Sequence, residues 1–228
     1  MERAPGRRLQ VTDRYTVTAD GDTWTAVERL RLRDDEVEAA VADVDAFMHE
    51  AGTPRASWWL TERSTPADVE ERLLAAGCRR DENDYLHAAM LLTREPPSVG
   101  GIEVRRVATS GELAEARALH AEVFGVAPST AGAADPYFAA WIDGRLASVG
   151  RVIFTRVGGY LIGGATAPWA RGRGAYRAVV RARWDEAVAR GTPVLAVGAG
   201  PMSRPILERL GFVQVLQFRR IESVRSDP

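Results

Sequence analysis

The stretch Ala165–Val180, "ATAPWARGRGAYRAVV", decides the fold. An apolar run ends at Pro168, arginine and glycine then alternate, and an amphipathic segment starts at Ala175. A helix N-terminus offers unpaired backbone N–H groups and a partial positive charge. Glycines just before it let a ligand approach the main chain and permit turns closed to other residues. Together these parts make an anion site. Arg171 and Arg173 add charge-assisted donors, and Arg177 lies about one helical turn beyond Arg173.

Two phosphate loops with similar parts do not fit. A Walker A loop ends in Gly-Lys-Ser/Thr, and this chain has no lysine at all. A Rossmann fingerprint wants an acid on the next strand to hold a ribose, and Val194–Gly200 has none. The loop therefore reads as a site for some other phosphorylated ligand.

Working outward, Thr109 and Glu112 form a capping box opening a helix to about Phe124. Ile102–Val107 before it alternates like a strand. Asp143–Gly144 and Val157–Gly158–Gly159 mark hairpin turns. The helix from Ala175 to Arg190 is expected to bury Val180, Trp184, Ala187 and Val188, and Gly191 and Pro193 stop it. A buried strand at Val194–Val197, a short helix at Ser203–Leu210 and a last strand at Val213–Ile221 complete the second half. Thr93–Gly101, rich in Pro and Gly, reads as a linker.

The first half echoes this pattern at an offset of 139: Gly52–Pro54 recurs at Gly191–Pro193, and Ser64 and Pro66 recur as Ser203 and Pro205. Five identities stand in a window where chance supplies roughly one, which favours an internal repeat. The helix Asp35–Ala51 then falls on Gly174–Arg190. Opposite the arginine–glycine loop the first half has Leu32–Asp35, "LRDD". Carboxylates there complement the helix dipole themselves and repel a phosphate, so only the second half is expected to hold a phosphorylated ligand.

The 228 residues suffice for one large domain or two small ones. A net charge of −1 argues against a general nucleic-acid or membrane-surface binder. No apolar run has the length of a membrane span, and Met1–Tyr15 lacks a signal-peptide core. The single cysteine, Cys78, excludes an intrachain disulfide, and the three histidines lack metal-ligand spacing, so no metal is expected. All 30 basic residues are arginine, which excludes lysine chemistry and suggests a GC-rich, bacterial genome. The expected compartment is the cytoplasm.

Residues 102–221 resemble the GNAT superfamily of acyl-CoA-dependent N-acyltransferases. Arg171-Gly-Arg-Gly174-Ala is similar to that family's Q/R-x-x-G-x-G/A loop, which grips the coenzyme A pyrophosphate. "SRPILERLGF", Ser203–Phe212, resembles the helix and Gly-Phe that close its acyl-CoA cleft. The resemblance implies a mixed, mostly antiparallel α/β sheet flanked by helices. It implies a degenerate GNAT-like domain at residues 1–94, a linker at 95–101 and an active domain at 102–228. Acetyl-CoA is the implied co-substrate, held by Thr166, Ala167, Arg171, Gly172, Arg173, Gly174, Ala175, Tyr176 and Ser203. The implied partner is a small-molecule or peptide amine, with no nucleic acid or membrane, and the protein is expected as a monomer or homodimer.

Three positions depart from the family. Tyr176 stands where Gly or Ala is usual, so its ring must turn from the pyrophosphate or stack beside the ligand. Leu207 replaces a tyrosine acid, and a glutamate usual on the strand before the loop is missing. Glu122, at the end of its helix, and Tyr160, on the cleft strand, are the candidate bases. His120, among apolar neighbours, reads as structural. Trp169 either walls the cleft or packs, and Ser203 is expected to cap its helix. Gly125–Pro136 should line the acceptor side, and its only charge, Asp135, argues against a polycationic acceptor. A non-catalytic acyl-CoA sensor is the rival reading.

Overall fold

The computed structural model describes residues 7–20, 24–80, 87–126 and 135–225. The chain forms two compact units, Met1–His87 with Leu216–Pro228, and Ala88–Val215. The Pro-rich segment expected as a linker thus lies within the second unit, and the division falls at His87. The segment is tied down there: Arg181 donates Nη1 to the Pro96 carbonyl at 3.1 Å and pairs with Glu95. Proline and glycine set backbone shape, but contacts decide whether a segment links or packs.

The first unit holds β1 (Arg7–Val11), β2 (Thr16–Asp20), β3 (Trp24–Glu28), α1 (Val37–Ala51), β4 (Arg55–Thr61), α2 (Val69–Ala75) and β5 (Arg79–Arg80). β1, β2 and β3 form an antiparallel meander, and β3 pairs parallel with β4. Trp58 on β4 is fully buried, and its indole N–H donates to Ser223 Oγ at 3.0 Å. A buried indole needs such a partner.

The second unit holds β6 (His87–Leu92, from Ala88 on), β7 (Glu103–Arg106), α3 (Ser110–Phe124), β8 (Tyr137–Ile142), β9 (Arg145–Phe154), β10 (Gly159–Thr166), α4 (Ala175–Ala189), β11 (Leu195–Ala199) and α5 (Arg204–Arg209). β12 (Val213–Val224) gives its residues from Leu216 to the first unit, where they pair antiparallel with β4 and β5. Within the second unit the strand order is β6-β11-β10-β9-β8-β7, antiparallel except for the β10–β11 pair. The fold is a mixed, mostly antiparallel α/β structure flanked by helices.

Local chemistry matches the expected elements. Thr109 and Glu112 make both bonds of the capping box at α3. Asp143 and Gly144 take φ of 53° and 74°, as a two-residue hairpin turn requires. The two helix ends that carry the sequence echo have the same geometry. Thr53 N–H bonds Met48 O and Thr192 N–H bonds Ala187 O, each at 3.0 Å, after Gly52 and Gly191 at φ of 74° and 72°. On α4 the face differs from expectation: Val188 is half exposed, while Arg183 is 1% exposed. Arg183 fits because β9 has Gly150 beneath it. A Cβ there would lie 2.7 Å from Arg183 Nη1.

Candidate active site

In the second unit, β10 and β11 run as a parallel pair from Gly159/Leu195 to Leu161/Val197, and the ladder ends there. Beyond it, Gly198 and Ala199 keep the pairing with β6 that all of β11 makes, and lose the one with β10. On β10 the register with β9 slips between Ile162 and Ala165, so Gly163–Gly164 carry one extra residue opposite Gly150. Gly163 takes φ of +61°, the left-handed geometry of a glycine bulge. A parted parallel pair with a bulge on one edge leaves a notch in the sheet.

Backbone bonding aims the notch. Ala167 N–H bonds Ala147 O at 2.9 Å. Antiparallel alternation therefore turns the N–H and C=O of Thr166 toward the edge that β11 has left. The Thr166 hydroxyl lies 2.9 Å from Ser148 Oγ, which donates to Ala165 O at 2.8 Å. Thr166 keeps its backbone groups for the notch. The backbone of Ala167, expected to bind ligand, is bonded within the protein: its N–H serves Ala147, and its carbonyl accepts from Ala170.

A 3-10 turn, Pro168–Ala170, leads into the loop. Gly172 and Gly174 have φ of +76° and +90°, and a Cβ on Gly172 would meet nothing within 4 Å. Gly174 caps α4 without any side-chain cap bond, and the first turn of α4 has no acid. The N–H groups of Ala175, Tyr176 and Arg177 lack intrahelical acceptors by helix geometry. Arg171 and Arg177 are exposed and, among the described residues, make no ion pair; Arg173 pairs with Asp143 at 3.5 Å. Arg177 folds back over Gly174, with Nη2 3.4 Å from the position a Cβ would take. Trp169 lies against two arginines, with Arg145 and Arg173 at 4.4 and 5.6 Å from its ring.

The Tyr176 ring turns away from this loop. It packs on Gly164, whose Cβ would stand 2.6 Å from Tyr176 Cε2. Burial raises its phenol above the ordinary value, and the neighbouring Arg183 guanidinium opposes that shift. A large residue at the sixth loop position is thus matched by a glycine on the facing strand.

No protein-family profile matches the sequence, and no curated protein does. Solved structures do. A GCN5-related N-acetyltransferase from Kribbella flavida superposes with a TM-score of 0.73 at 15% identity, covering 95% of this chain and 89% of that one. A tandem GNAT protein from the clavulanic acid biosynthesis pathway gives 0.64 at 12%, covering 99% and 86%. A GCN5-related N-acetyltransferase from Sphaerobacter thermophilus gives 0.64 at 14%, covering 94% and 78%.

The chain has the GNAT fold.

On this GNAT scaffold the expected site residues divide. Thr166, Arg171, Gly172, Arg173, Gly174, Ala175 and the Tyr176 backbone gather at the loop and the notch. Ser203 holds the N-cap position of α5, where its hydroxyl donates to Gly200 O at 3.3 Å and makes no cap bond. Tyr160, half-buried, sits in the paired part of β10 between Ile153 and Ala196. Glu122 is exposed, and two residues along a helix turn it about 200° from His120, so it faces away from β10. Of the helix arginines, Arg181 pairs with Asp185 and Glu95 and Arg183 lies in the core. Leu207 is fully buried. Most of the expected acceptor loop, residues 127–134, lies outside the described residues. Sequence reasoning set His120 aside, yet its ring lies on the bulge: a Cβ on Gly163 would be 2.9 Å from Nε2. A double glycine inside a strand was the signal that could have pointed there.

Among the described residues of the first unit, the equivalent place between the parallel strands is closed. Past the last parallel pair, Val27/Trp58, Thr65 bridges the strands: its N–H bonds Leu30 O at 3.3 Å, and its carbonyl accepts from Leu32 N–H at 3.2 Å. At the start of α1, Glu36 accepts from the Arg33 N–H at 2.8 Å. That places a carboxylate of the protein's own at the N-cap position of α1, although it makes no side-chain cap bond to the helix.

Proposed function

We propose that the second unit binds acetyl-CoA and transfers its acetyl group to an amine, a small molecule or a peptide. The observation that carries this reading is the joining of the notch to an uncapped helix N-terminus through two left-handed glycines. The residues present fit a pyrophosphate: open space over Gly172, unbonded N–H groups at α4, and exposed Arg171 and Arg177. An extended pantetheine arm needs backbone partners, and Thr166 turns its own toward the notch. Its N–H is the donor best placed to polarise a thioester carbonyl there. Direct attack by a positioned amine then draws most of its acceleration from orientation. In the same proposal the compartment is cytoplasmic.

Calorimetry with coenzyme A tests the reading, with Gly174→Asp as control. Heat and a thermal shift are expected for the natural chain and are absent from the variant. No heat with the natural chain overturns the pyrophosphate assignment. One observation favours a second reading, an acyl-CoA sensor without turnover: the fully buried Leu207 supplies no proton to a leaving thiolate. Thiol release from acetyl-CoA across a panel of amines separates the two.

A further inference from the structure

The missing base has a candidate that neither composition nor spacing marked. We propose that His120 is the general base of the second unit's cleft, taking the proton from the attacking amine. This rests on the acyltransferase reading above.

The geometry converges on one point. His120 projects from α3 onto Gly163, at the bulge where β10 leaves β11. Cδ2 and Nε2 both come within 2.9 Å of where a Cβ would stand. Gly163 is therefore required twice, for its left-handed φ of +61° and for the space the imidazole fills. The ring is half-buried and lies against Phe124, one turn further along α3, with centroids 4.6 Å apart and planes tilted by 36°. Among the described residues neither ring nitrogen has a hydrogen-bond partner. A core histidine normally satisfies at least one nitrogen, so this ring has the packing of a structural residue without its bonding.

The electrostatics suit a base at neutral pH. Burial and then the Arg151 guanidinium push the His120 pKa below the ordinary 6.5. The charge that acts on it is the Arg151 guanidinium on β9, with Asp135 3.8 Å from Arg151, and Arg117 stands about one turn earlier on α3 itself. The imidazole is thus neutral with a lone pair to offer. The other candidates are worse placed: Glu122 faces away, and Tyr160 lies before the strands part.

In the proposed step the amine nitrogen bonds the acetyl carbon as the carbon–sulfur bond breaks. The ammonium proton passes to the free imidazole nitrogen, and the electron pair leaves with the coenzyme A thiolate. Water protonates that thiolate, since Leu207 cannot.

The test uses the whole chain and bromoacetyl-CoA, so no natural acceptor is needed. The imidazole nitrogen displaces bromide from the bromoacetyl carbon, and mass spectrometry locates the adduct. The expected result is one adduct, on His120, suppressed by excess coenzyme A. Its rate should fall as pH drops, with a midpoint below 6.5. His120→Gln should bind coenzyme A normally and lose labelling by at least ~100-fold. His120→Asn should do the same, and its melting curve guards against misfolding. Coenzyme A binding with no adduct on His120, or an equal rate in the Gln variant, overturns the proposal alone. Absence of coenzyme A binding to the natural chain overturns the acyltransferase reading and the proposal with it.

Discussion

The pairing of Tyr176 with Gly164 makes a quantitative prediction. Gly164→Ala adds one methyl group whose carbon would lie 2.6 Å from Tyr176 Cε2 and 3.5 Å from Cζ and the hydroxyl. Gly164 does not need a left-handed backbone, so the effect is steric only. The ring cannot retreat, because Arg183 stands beside its phenol and is itself 1% exposed. Overpacking of this kind costs about 1–3 kcal/mol, and the lack of a retreat puts this case at about 2–3. For a chain of this size that lowers the melting temperature by roughly 5–10 °C. Tyr176→Ala alone costs about 3 kcal/mol through the cavity it leaves. In that background Gly164→Ala should cost less than about 0.5 kcal/mol, because the methyl enters the space the ring vacated. The coupling, about 2 kcal/mol, is read from urea unfolding of the four proteins. Additive costs would refute the claim that the ring occupies the place of a side chain on β10.

Three further outcomes are expected. Gly172→Ala, at φ of +76° with nothing within 4 Å, should cost about 1 kcal/mol of stability and keep coenzyme A binding, whereas Gly172→Asp should weaken binding at least ~10-fold by calorimetry. Gly150→Ala puts a carbon 2.7 Å from the buried Arg183 Nη1 and should cost about 2–3 kcal/mol in urea unfolding. Glu112 is held down to about 2 by the Ala108 N–H, the Arg105 guanidinium and the Thr109 N–H, in that order. Its folded pKa is depressed, so its contribution is full above the ordinary 4.5 and is lost as pH falls through about 2. Glu112→Gln should flatten that part of an acid-unfolding curve followed by circular dichroism.

What the sequence revealed was local, and what it hid was not. The capping box, the Asp143–Gly144 hairpin, the Gly-then-Pro helix stops and the arginine–glycine loop all act within a few residues. Each reads directly from composition. Arg183 could not be read this way. Helical periodicity places Val188 on the buried face, but Arg183 goes inside because Gly150, 33 positions away, leaves it room. The same holds for His120 and Gly163, and for Tyr176 and Gly164. In each pair a large polar side chain on a helix meets a glycine on a strand distant in sequence. Neither partner signals alone: a strand glycine reads as a weakness, and a helical histidine among apolar neighbours reads as core. The unit boundary was hidden for a related reason, since Glu95 and Pro96 look like linker until Arg181 is seen to hold them.

The two units also differ in what the connection after the parallel pair can form. Nine residues lie between Val27, the last residue of β3 paired with β4, and Val37 at the start of α1. Thirteen lie between Leu161 and Ala175 at the equivalent places. Those extra residues accommodate the bulge, the 3-10 turn and the glycine loop, which the shorter connection has no length to form. The first unit then closes its strands with Thr65, whose hydroxyl also donates to Leu32 O at 3.0 Å. Backbone groups facing a parted ladder must find partners somewhere, because a buried unbonded N–H or C=O is costly. The first unit satisfies them internally and gains a stable sheet. In the second, Thr166 turns its groups toward a notch that β11 does not fill, and an extended ligand can supply the partners. Giving the first unit a comparable opening would therefore take more than replacing Asp34 and Asp35. The connection would have to lengthen and Thr65 would have to let go of Leu30 and Leu32.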